Sequence, residues 1–337
     1  MGNFSTLRLL TDREGYAAHF MDVPLWEPYV RTICGWHGFG CDKVSSGVPG
    51  TFPTFIVEID GGHTPRDCNA IVVKFFSPLY DGLSSFCIER EMSRWLDAKS
   101  LPVPSPCILA EGQLNHDWQY LIYEYVAGMS IGQVRDKLSL GDWSAVACLM
   151  GDYLHCLHAV TFDHQHELPL SIQPSLGRFA SFLQQQHLSC HANHLAWNDL
   201  PAHLLDQLEG FVLPVEYLID FSAPPHLIHA DLTSDHLLGS MLSGKWETLA
   251  IIDWGDAMTG NLLYELVALH LDLFHSDKHL LRVCLEAYGL PEFFQQDFPR
   301  KALSMVLLHQ FPMPARVYGP HRDSRTLQEL AECLFAV

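Results

Sequence analysis

Three features are scarce in this chain of 337 residues: paired cysteines, long apolar runs and positive charge. The ten cysteines stand at uneven spacings without a CxxC pair, which argues against a disulfide scaffold and predicts reduced thiols in a cytosol. No run reaches the roughly 20 apolar residues of a membrane span, and the first residues lack a signal-peptide pattern, so we expect a cytoplasmic protein without a membrane span. Lysine and arginine number 20 against 39 aspartate and glutamate, so nucleic acid is not expected as a partner.

The net charge of −19 has two interpretations. It suits a cationic ligand, and it equally suits simple solubility. The composition, 48% hydrophobic and 18% charged, is typical of a folded protein, and the length predicts two domains or two lobes.

The apolar pattern changes along the chain. An aromatic, helical cap is predicted over residues 1–45, and the next part is rich in strands. The N-terminal elements predicted are strands at 53–59, 70–76 and 119–126 and a helix at 84–98. Beyond residue 128 helical spacing dominates. The C-terminal elements predicted are a helix capped by Asp142, helices at 177–187, 262–274, 279–288 and 300–310, and strands at 227–229 and 248–253.

Two C-terminal segments carry the chemistry. Asp231 and Asp253 each follow a short apolar strand, where a carboxylate can emerge from a core into a cleft. A turn at 242–245 would form a hairpin and bring both carboxylates into one cleft. Paired carboxylates suit metal binding or general-base work.

These segments, preceded by a lysine on a strand, resemble the aminoglycoside phosphotransferase family, which has the protein-kinase-like fold. Within it, the runs GTFPTF at 50–55, HADLTSDH at 229–236 and DWGDAM at 253–258 are most similar to hygromycin B kinases. The resemblance implies an α+β fold with two lobes. Residues 1–126 would form a nucleotide-binding lobe with a small antiparallel sheet, and residues 127–337 a larger, mostly helical lobe for catalysis and acceptor binding.

The resemblance also implies an ATP- and Mg²⁺-dependent O-phosphotransferase. Its leading acceptor is an aminoglycoside such as hygromycin B, with another antibiotic or a metabolite as the alternative. Asp231 would accept the proton of the attacking hydroxyl, and Asp253 would hold Mg²⁺. Lys74 would contact the α and β phosphates and pair with Glu91, with Glu89 as the competing partner. Taken alone, Lys74 also fits an edge-strand charge, and Glu91 a solvated helix face.

The same resemblance implies that four further residues contact the nucleotide. Gly50 and Thr51 lie in a turn that would cover the phosphates, although no G-x-G-x-x-G pattern is present and a plain hairpin turn is the alternative. The carbonyl of Glu124 and the N–H of Val126 would contact adenine.

One position departs from the family pattern. The fifth residue after Asp231 is His236, where the family has a metal-binding asparagine, and Mg²⁺ prefers oxygen ligands to imidazole. Three interpretations stay open: His236 binds the metal through a ring nitrogen, it holds a metal-bound water, or Asp235 takes its place. A zinc site built from the nearby histidines would leave the order of the other motifs unexplained.

Acidic side chains of the C-terminal lobe are candidates for binding a cationic acceptor: Asp235, Asp256 and Asp272. The rival hypothesis from another class is a pseudokinase-like nucleotide-binding module, which only His236 favours. A protein kinase is not favoured because no Ala-Pro-Glu-type segment follows Asp253. The sequence gives no indication of the oligomeric state.

Overall fold

Runs of β-branched and aromatic residues in the first third of the chain build a five-stranded antiparallel sheet, whose strands at Ala70–Phe76 and Gln119–Glu124 are buried along most of their length. The computed structural model describes residues 7, 10, 12–48, 50–59, 69–160, 169, 172–173, 175–290, 297–319 and 323–336. The strands are β1 (Lys43–Ser46), β2 (Thr54–Glu58), β3 (Ala70–Phe76), β4 (Ile108–Gln113) and β5 (Gln119–Glu124), in the order β1-β2-β3-β5-β4. Strand β3 has the predicted bounds, whereas β5 ends two residues before the predicted end at 126.

Three helices accompany this sheet: α1 (Arg13–His19), α2 (Val23–Trp36) and α3 (Gly82–Asp97). The first two lie within the predicted helical cap. The buried Trp26 of α2 joins them to the sheet, since its ring lies 4.5 Å from Phe75 and 5.8 Å from Phe55 between centroids. Aromatic burial of this kind anchors the N-terminal helices firmly to the sheet.

Helices dominate the rest of the chain. They are α4 (Ile131–Val134), α5 (Leu140–His158), α6 (Leu176–Trp197), α7 (Ala202–Leu205), α8 (Leu208–Phe211), α9 (Leu262–Ala268), α10 (Lys278–Tyr288), α11 (Phe298–Leu307), α12 (Ala315–Tyr318) and α13 (Leu327–Phe335). The strands there are β6 (Met129–Ser130), β7 (His226–Ile228), β8 (Leu237–Leu242), β9 (Lys245–Ile251) and β10 (Met258–Gly260). The α+β fold, with a small antiparallel sheet before a larger helical part, is confirmed.

Helix α6 differs most from its prediction. It runs ten residues past the predicted end at 187, because Phe179, Leu183, Cys190 and His194 continue one buried face through a polar stretch. The helix ends at Asn198, which adopts a left-handed conformation with φ of 52°.

Two other helices begin or end in an unexpected way. Ser139 caps α5, and Asp142 is its third residue and completes a capping box. The helix predicted at 262–274 is α-helical to Ala268 and then continues as a π-helical turn. None of the helices in the described ranges is long and apolar enough to cross a membrane.

A tight turn positions the carboxylates of the cleft. Ser243 and Gly244 have φ values of 52° and 81°, the left-handed values of a two-residue hairpin turn, so the predicted hairpin between β8 and β9 is confirmed. The N–H of Ile252, just after β9, donates to the carbonyl of His236, just before β8, over 3.0 Å. The loop that carries Asp253 therefore lies beside the loop that carries Asp231.

Candidate functional site

A cavity of about 260 Å³ lies between the five-stranded sheet and the helical part. Both parts supply polar side chains to its wall: Lys74, Glu89, Glu124, Asp235, His236 and Asp253. Gly50 and Val126 also line it. Most of the predicted site residues therefore meet around one space. The predicted residues outside its lining are Thr51, Glu91, Asp231, Asp256 and Asp272.

Lys74 is the cationic centre of this cavity. It stands on β3, and its Nζ lies 2.7 Å from Glu89 Oε2 and 2.8 Å from Asp253 Oδ1. The Tyr123 hydroxyl donates to the other oxygen of Glu89 over 2.7 Å. One lysine thus links the sheet, helix α3 and the loop after β9.

The predicted ion pair between Lys74 and Glu91 is wrong, and the competing partner Glu89 takes that place. Two residues advance a helix by about 200°, so Glu91 faces away from the cavity when Glu89 faces into it. Glu91 Oε1 instead accepts from Arg90 over 2.8 Å and from Arg94 over 3.4 Å.

Opposite charges favour the ionised forms of Lys74 and Asp253, whereas burial raises the pKa of Glu89. Burial lowers the pKa of Lys74, but Asp253 and Glu89 outweigh burial and hold that pKa above its ordinary value. Burial likewise raises the pKa of Asp253, yet Lys74 and His236 hold it well below its ordinary value. A lysine that stays charged inside a cavity is suited to an anionic ligand.

The loop before Asp231 is held by a buried carboxylate. Ala230 has a φ of 67°, which is costly for a residue with a side chain, and its N–H donates to Glu265 Oε2 of α9 over 3.1 Å. His229 Nε2 donates to the carbonyl of Ile252 over 3.0 Å, so the His229 ring fastens this loop to the Asp253 loop.

Asp231 is a carboxylate in an acidic, buried setting. Burial, aided by Asp253, Asp272 and Asp235, raises its pKa to about 6. The group nearest to it that can carry a positive charge is His236, whose Nδ1 lies 3.7 Å from Asp231 Oδ2. A carboxylate whose pKa lies close to neutrality is suited to accept a proton.

His236 lies between the two carboxylates. Its Nδ1 donates to the backbone carbonyl of Asp231 over 2.6 Å, and its Nε2 faces Asp253 Oδ2 at 3.5 Å. No group of three or more His, Cys, Asp or Glu side chains is arranged for a metal in the part of the chain that the structure describes. The donors nevertheless fit a Mg²⁺ ion shared with a phosphate ligand, because Mg²⁺ often takes one or two carboxylates and completes its shell with water and phosphate oxygens.

The turn with Gly50 and Thr51 joins β1 to β2. The hydroxyl of Tyr16, on α1, donates to the carbonyl of Thr51 over 2.6 Å. The N–H of Gly47 donates to the carbonyl of Thr54 over 2.8 Å and closes the turn from the other side. The N-terminal helix thus supports the turn that borders the cavity.

Glu124 and Val126 line the opposite end of the cavity, where the chain leaves β5. The Glu124 side chain accepts from the N–H of Cys107 over 3.0 Å and so stabilises the backbone before β4.

The three carboxylates predicted to bind the acceptor differ in their hydrogen-bond partners and in their pKa. Asp235 accepts from Ser130 Oγ over 3.2 Å and lines the cavity. Burial, reinforced by Asp231 and Asp253, raises the pKa of Asp256 to about 7. Asp272 does not fit the prediction, because one of its oxygens accepts from the N–H and hydroxyl of Ser234 and the other pairs with Arg316.

Glu265 and Tyr16 support the site although the predicted set of site residues leaves them out, and Glu89 entered the prediction only as the competing partner of Lys74. Helical spacing offered a signal for Glu89, because Phe86, Ser93 and Leu96 form the buried face on which it lies. Glu265 and Tyr16 offered none, since both act through backbone groups of distant loops.

Comparison with known proteins agrees with this geometry. Residues 51–301 match the model of the family described as APH, phosphotransferase enzyme family. The GDP and kanamycin complex of APH(2'')-IIIa gives a TM-score of 0.67 at 17% identity over 91% of this chain and 96% of that chain. The GDP complex of wild-type aminoglycoside 2'-phosphotransferase-IIIa gives 0.63 at 17% identity over 93% and 97%. The ADP and hygromycin B complex of a thermostable APH(4)-Ia mutant gives 0.54 at 17% identity over 90% and 95%.

One curated relative is named for a demethylase and not for a phosphotransferase. Lysine-specific demethylase JMJ21 of Arabidopsis thaliana is 24% identical to this chain over 269 residues. The aligned part is 70% of this chain and only 28% of that protein. The chain therefore spans little more than a quarter of that relative's length.

Proposed function

The chain belongs to the APH phosphotransferase enzyme family, and on that premise we propose that it transfers the γ-phosphate of ATP to a hydroxyl of a small molecule. The observation that carries the proposal is the position of Lys74 between Glu89 and Asp253 in a cavity beside Asp231. Phosphoryl transfer needs positioned charges more than covalent chemistry, and these charges are positioned.

The nucleotide is assigned to the cavity. Lys74 contacts its α and β phosphates, and Glu89 holds the lysine in place. Gly50 and Thr51 cover the phosphates with backbone N–H groups, while Glu124 and Val126 contact adenine through their backbones. We assign residues 1–126 to the nucleotide-binding lobe and residues 127–337 to the catalytic and acceptor-binding lobe.

Asp231 is the proposed general base. It orients the acceptor hydroxyl and accepts its proton, and its pKa of about 6 allows the ionised form at neutral pH. Glu265 acts through the loop, since its hydrogen bond to Ala230 keeps the strained backbone before Asp231 in place.

Asp253 and His236 are the proposed metal-binding residues. A bound Mg²⁺ would neutralise charge on the phosphate oxygens. Asp253 also accepts from Lys74, so the same side chain fixes the lysine and faces the metal position.

The proposed acceptor carries amines. Asp235 places negative charge near Asp231, and a cationic acceptor would favour the ionised form of Asp256, whose pKa is about 7. The HADLTSDH and DWGDAM runs make hygromycin B the first acceptor to test, and kanamycin and streptomycin complexes among the structural neighbours extend the panel. A cytosolic location suits an enzyme that consumes ATP.

Intact mass of each acceptor, measured after incubation with protein, ATP and Mg²⁺, tests the proposal. We expect a gain of about 80 Da, one phosphate, on at least one acceptor, and loss of that gain in Asp231→Ala. Glu91→Gln, which changes a carboxylate outside the cavity, serves as the control and keeps the gain. No gain on any acceptor while ATP still binds would contradict an aminoglycoside acceptor, and absence of ATP binding would contradict the phosphotransferase itself.

A further inference from the structure

The ring of His236 is fixed in one orientation by its own loop. Nδ1 donates to the backbone carbonyl of Asp231 over 2.6 Å, a short hydrogen bond. A carbonyl only accepts, so Nδ1 carries a proton, and in the neutral ring the lone pair stands on Nε2. Metal-binding histidines typically have this arrangement, in which the second ring nitrogen donates to a carbonyl.

Nε2, which carries the lone pair when the ring is neutral, faces the oxygen of Asp253 that Lys74 leaves open. Asp253 Oδ1 accepts from Lys74 over 2.8 Å, while Oδ2 lies 3.5 Å from His236 Nε2. That separation is too long for a good hydrogen bond. It suits two neighbouring ligands of one ion, because metal–ligand bonds of about 2.1 Å at right angles place the two donors about 3 Å apart.

The alternative ligand, Asp235, is engaged elsewhere. Its Oδ1 accepts from the Ser130 hydroxyl over 3.2 Å, next to the N-terminal end of α4. Turning Asp235 toward Asp253 would break this bond, whereas His236 Nε2 already lies 3.5 Å from Asp253 Oδ2.

We propose that His236 Nε2 coordinates the nucleotide-bound metal directly and that this shifts the preference of the site from Mg²⁺ toward Mn²⁺. The inference rests on the proposed function, because the remaining ligands are nucleotide phosphates and water. Imidazole is a good ligand for first-row transition metals, and Mg²⁺ favours oxygen, so replacing an amide oxygen by a ring nitrogen changes the metal preference.

The first test needs no variant. Pulsed electron paramagnetic resonance is recorded on the Mn²⁺–ADP complex of tag-free protein labelled with ¹⁵N in histidine alone. We expect a ¹⁵N coupling of a directly bound imidazole, and the same coupling in His116→Asn, whose ring is 98% exposed. Mn²⁺ and ADP binding without a histidine coupling would overturn the inference and leave the nucleotide site intact.

Metal affinity in saturating ADP provides the second test. In His236→Asn we expect Mn²⁺ to bind about 10- to 100-fold more weakly and Mg²⁺ affinity to change less than about threefold. An unchanged ratio of Mn²⁺ to Mg²⁺ affinity would overturn the inference. Circular dichroism checks the fold, and His236→Gln replaces a variant that fails to fold.

The two proposals fail in distinguishable ways. A histidine coupling together with no phosphorylated acceptor would remove the transfer reaction and keep the metal inference. Phosphorylation without a histidine coupling would do the reverse. Absence of ADP binding in calorimetry would overturn both.

Discussion

Two clusters of charged side chains differ in how many of their hydrogen-bond donors and acceptors are paired. The cleft cluster comprises Lys74, Glu89, Asp253, His236 and Asp231, and it leaves His236 Nε2 facing Asp253 Oδ2 without a hydrogen bond. The helix cluster comprises His194 and Asp199 in the helical part. There, Asp199 accepts from His194 over 2.8 Å and from the N–H of Met313 over 2.9 Å.

The His194 ring is saturated on both sides. Its Nδ1 donates to Asp199, and its Nε2 donates to the carbonyl of Leu307 over 2.9 Å, so both nitrogens are protonated and the ring is charged. A cluster with every donor and acceptor paired stabilises the fold, whereas one with open donors and acceptors is arranged for a ligand.

The largest expected effect follows from removing the cation of the cleft cluster. Lys74→Met removes the cation that pairs with both the buried Glu89 and the half-buried Asp253, and it removes the proposed phosphate contact. We expect phosphate transfer to fall by at least about 100-fold, measured as acceptor phosphorylation per minute. Transfer within a few-fold of the wild type would contradict the assignment of the cavity.

The two glutamates of α3 form a matched pair. Glu89→Gln weakens the hold on Lys74 and should raise KM for ATP and lower kcat, by about 10-fold in kcat/KM. Glu91→Gln breaks only contacts with Arg90 and Arg94 at the edge of the helix and should stay within about twofold. Steady-state kinetics of both variants decide between the two, and equal losses would contradict the Glu89 assignment.

Breaking the helix cluster should reduce stability and spare activity. His194→Gln leaves Asp199 buried without its cation and should lower the free energy of unfolding by about 3 kcal/mol. Guanidinium unfolding at neutral pH measures this loss. Kinetic constants at 25 °C should stay within about twofold, and a large fall in kcat would show that the cluster has a catalytic part.

The same cluster predicts a pH dependence. Burial lowers the pKa of His194, but its hydrogen bonds to Asp199 and its other partners raise it from 6.5 to about 10. Because the folded-state pKa is raised, the stability contribution is fully present below pH 6.5, declines above it and is lost as the pH passes 10. The stability gap between wild type and His194→Gln should therefore shrink with rising pH, and a gap that widens would contradict the charged ring.

The smallest effect is expected for Tyr16, which supports the turn with Gly50 and Thr51. Tyr16→Phe removes one hydrogen bond to the Thr51 carbonyl, worth about 1 kcal/mol, and should raise KM for ATP by about threefold. The kcat value and the melting temperature should change little. Tyr80→Phe, a neighbouring tyrosine 5.3 Å away between ring centroids, serves as the control and should leave KM unchanged.

The sequence allowed us to predict strands and helices from residues that recur at fixed spacing. It did not allow us to predict which side chains contact each other across the fold. Strand β3 with Lys74 and the two short strands before Asp231 and Asp253 were predictable because apolar runs end at polar residues. The choice between Glu89 and Glu91 needed the register of α3 against the cleft. The use of Asp272 by Ser234 and Arg316 could not be read from spacing, because Arg316 lies 44 residues away along the chain.

The most direct test is calorimetric titration of Mg²⁺–ATP into the wild type, Lys74→Met and His194→Gln. It shows whether the cleft cluster binds the ligand and the helix cluster stabilises the fold. The account predicts at least about 10-fold weaker binding for Lys74→Met and wild-type affinity for a less stable His194→Gln. Wild-type affinity in Lys74→Met, or a matching loss in folded His194→Gln, would contradict it.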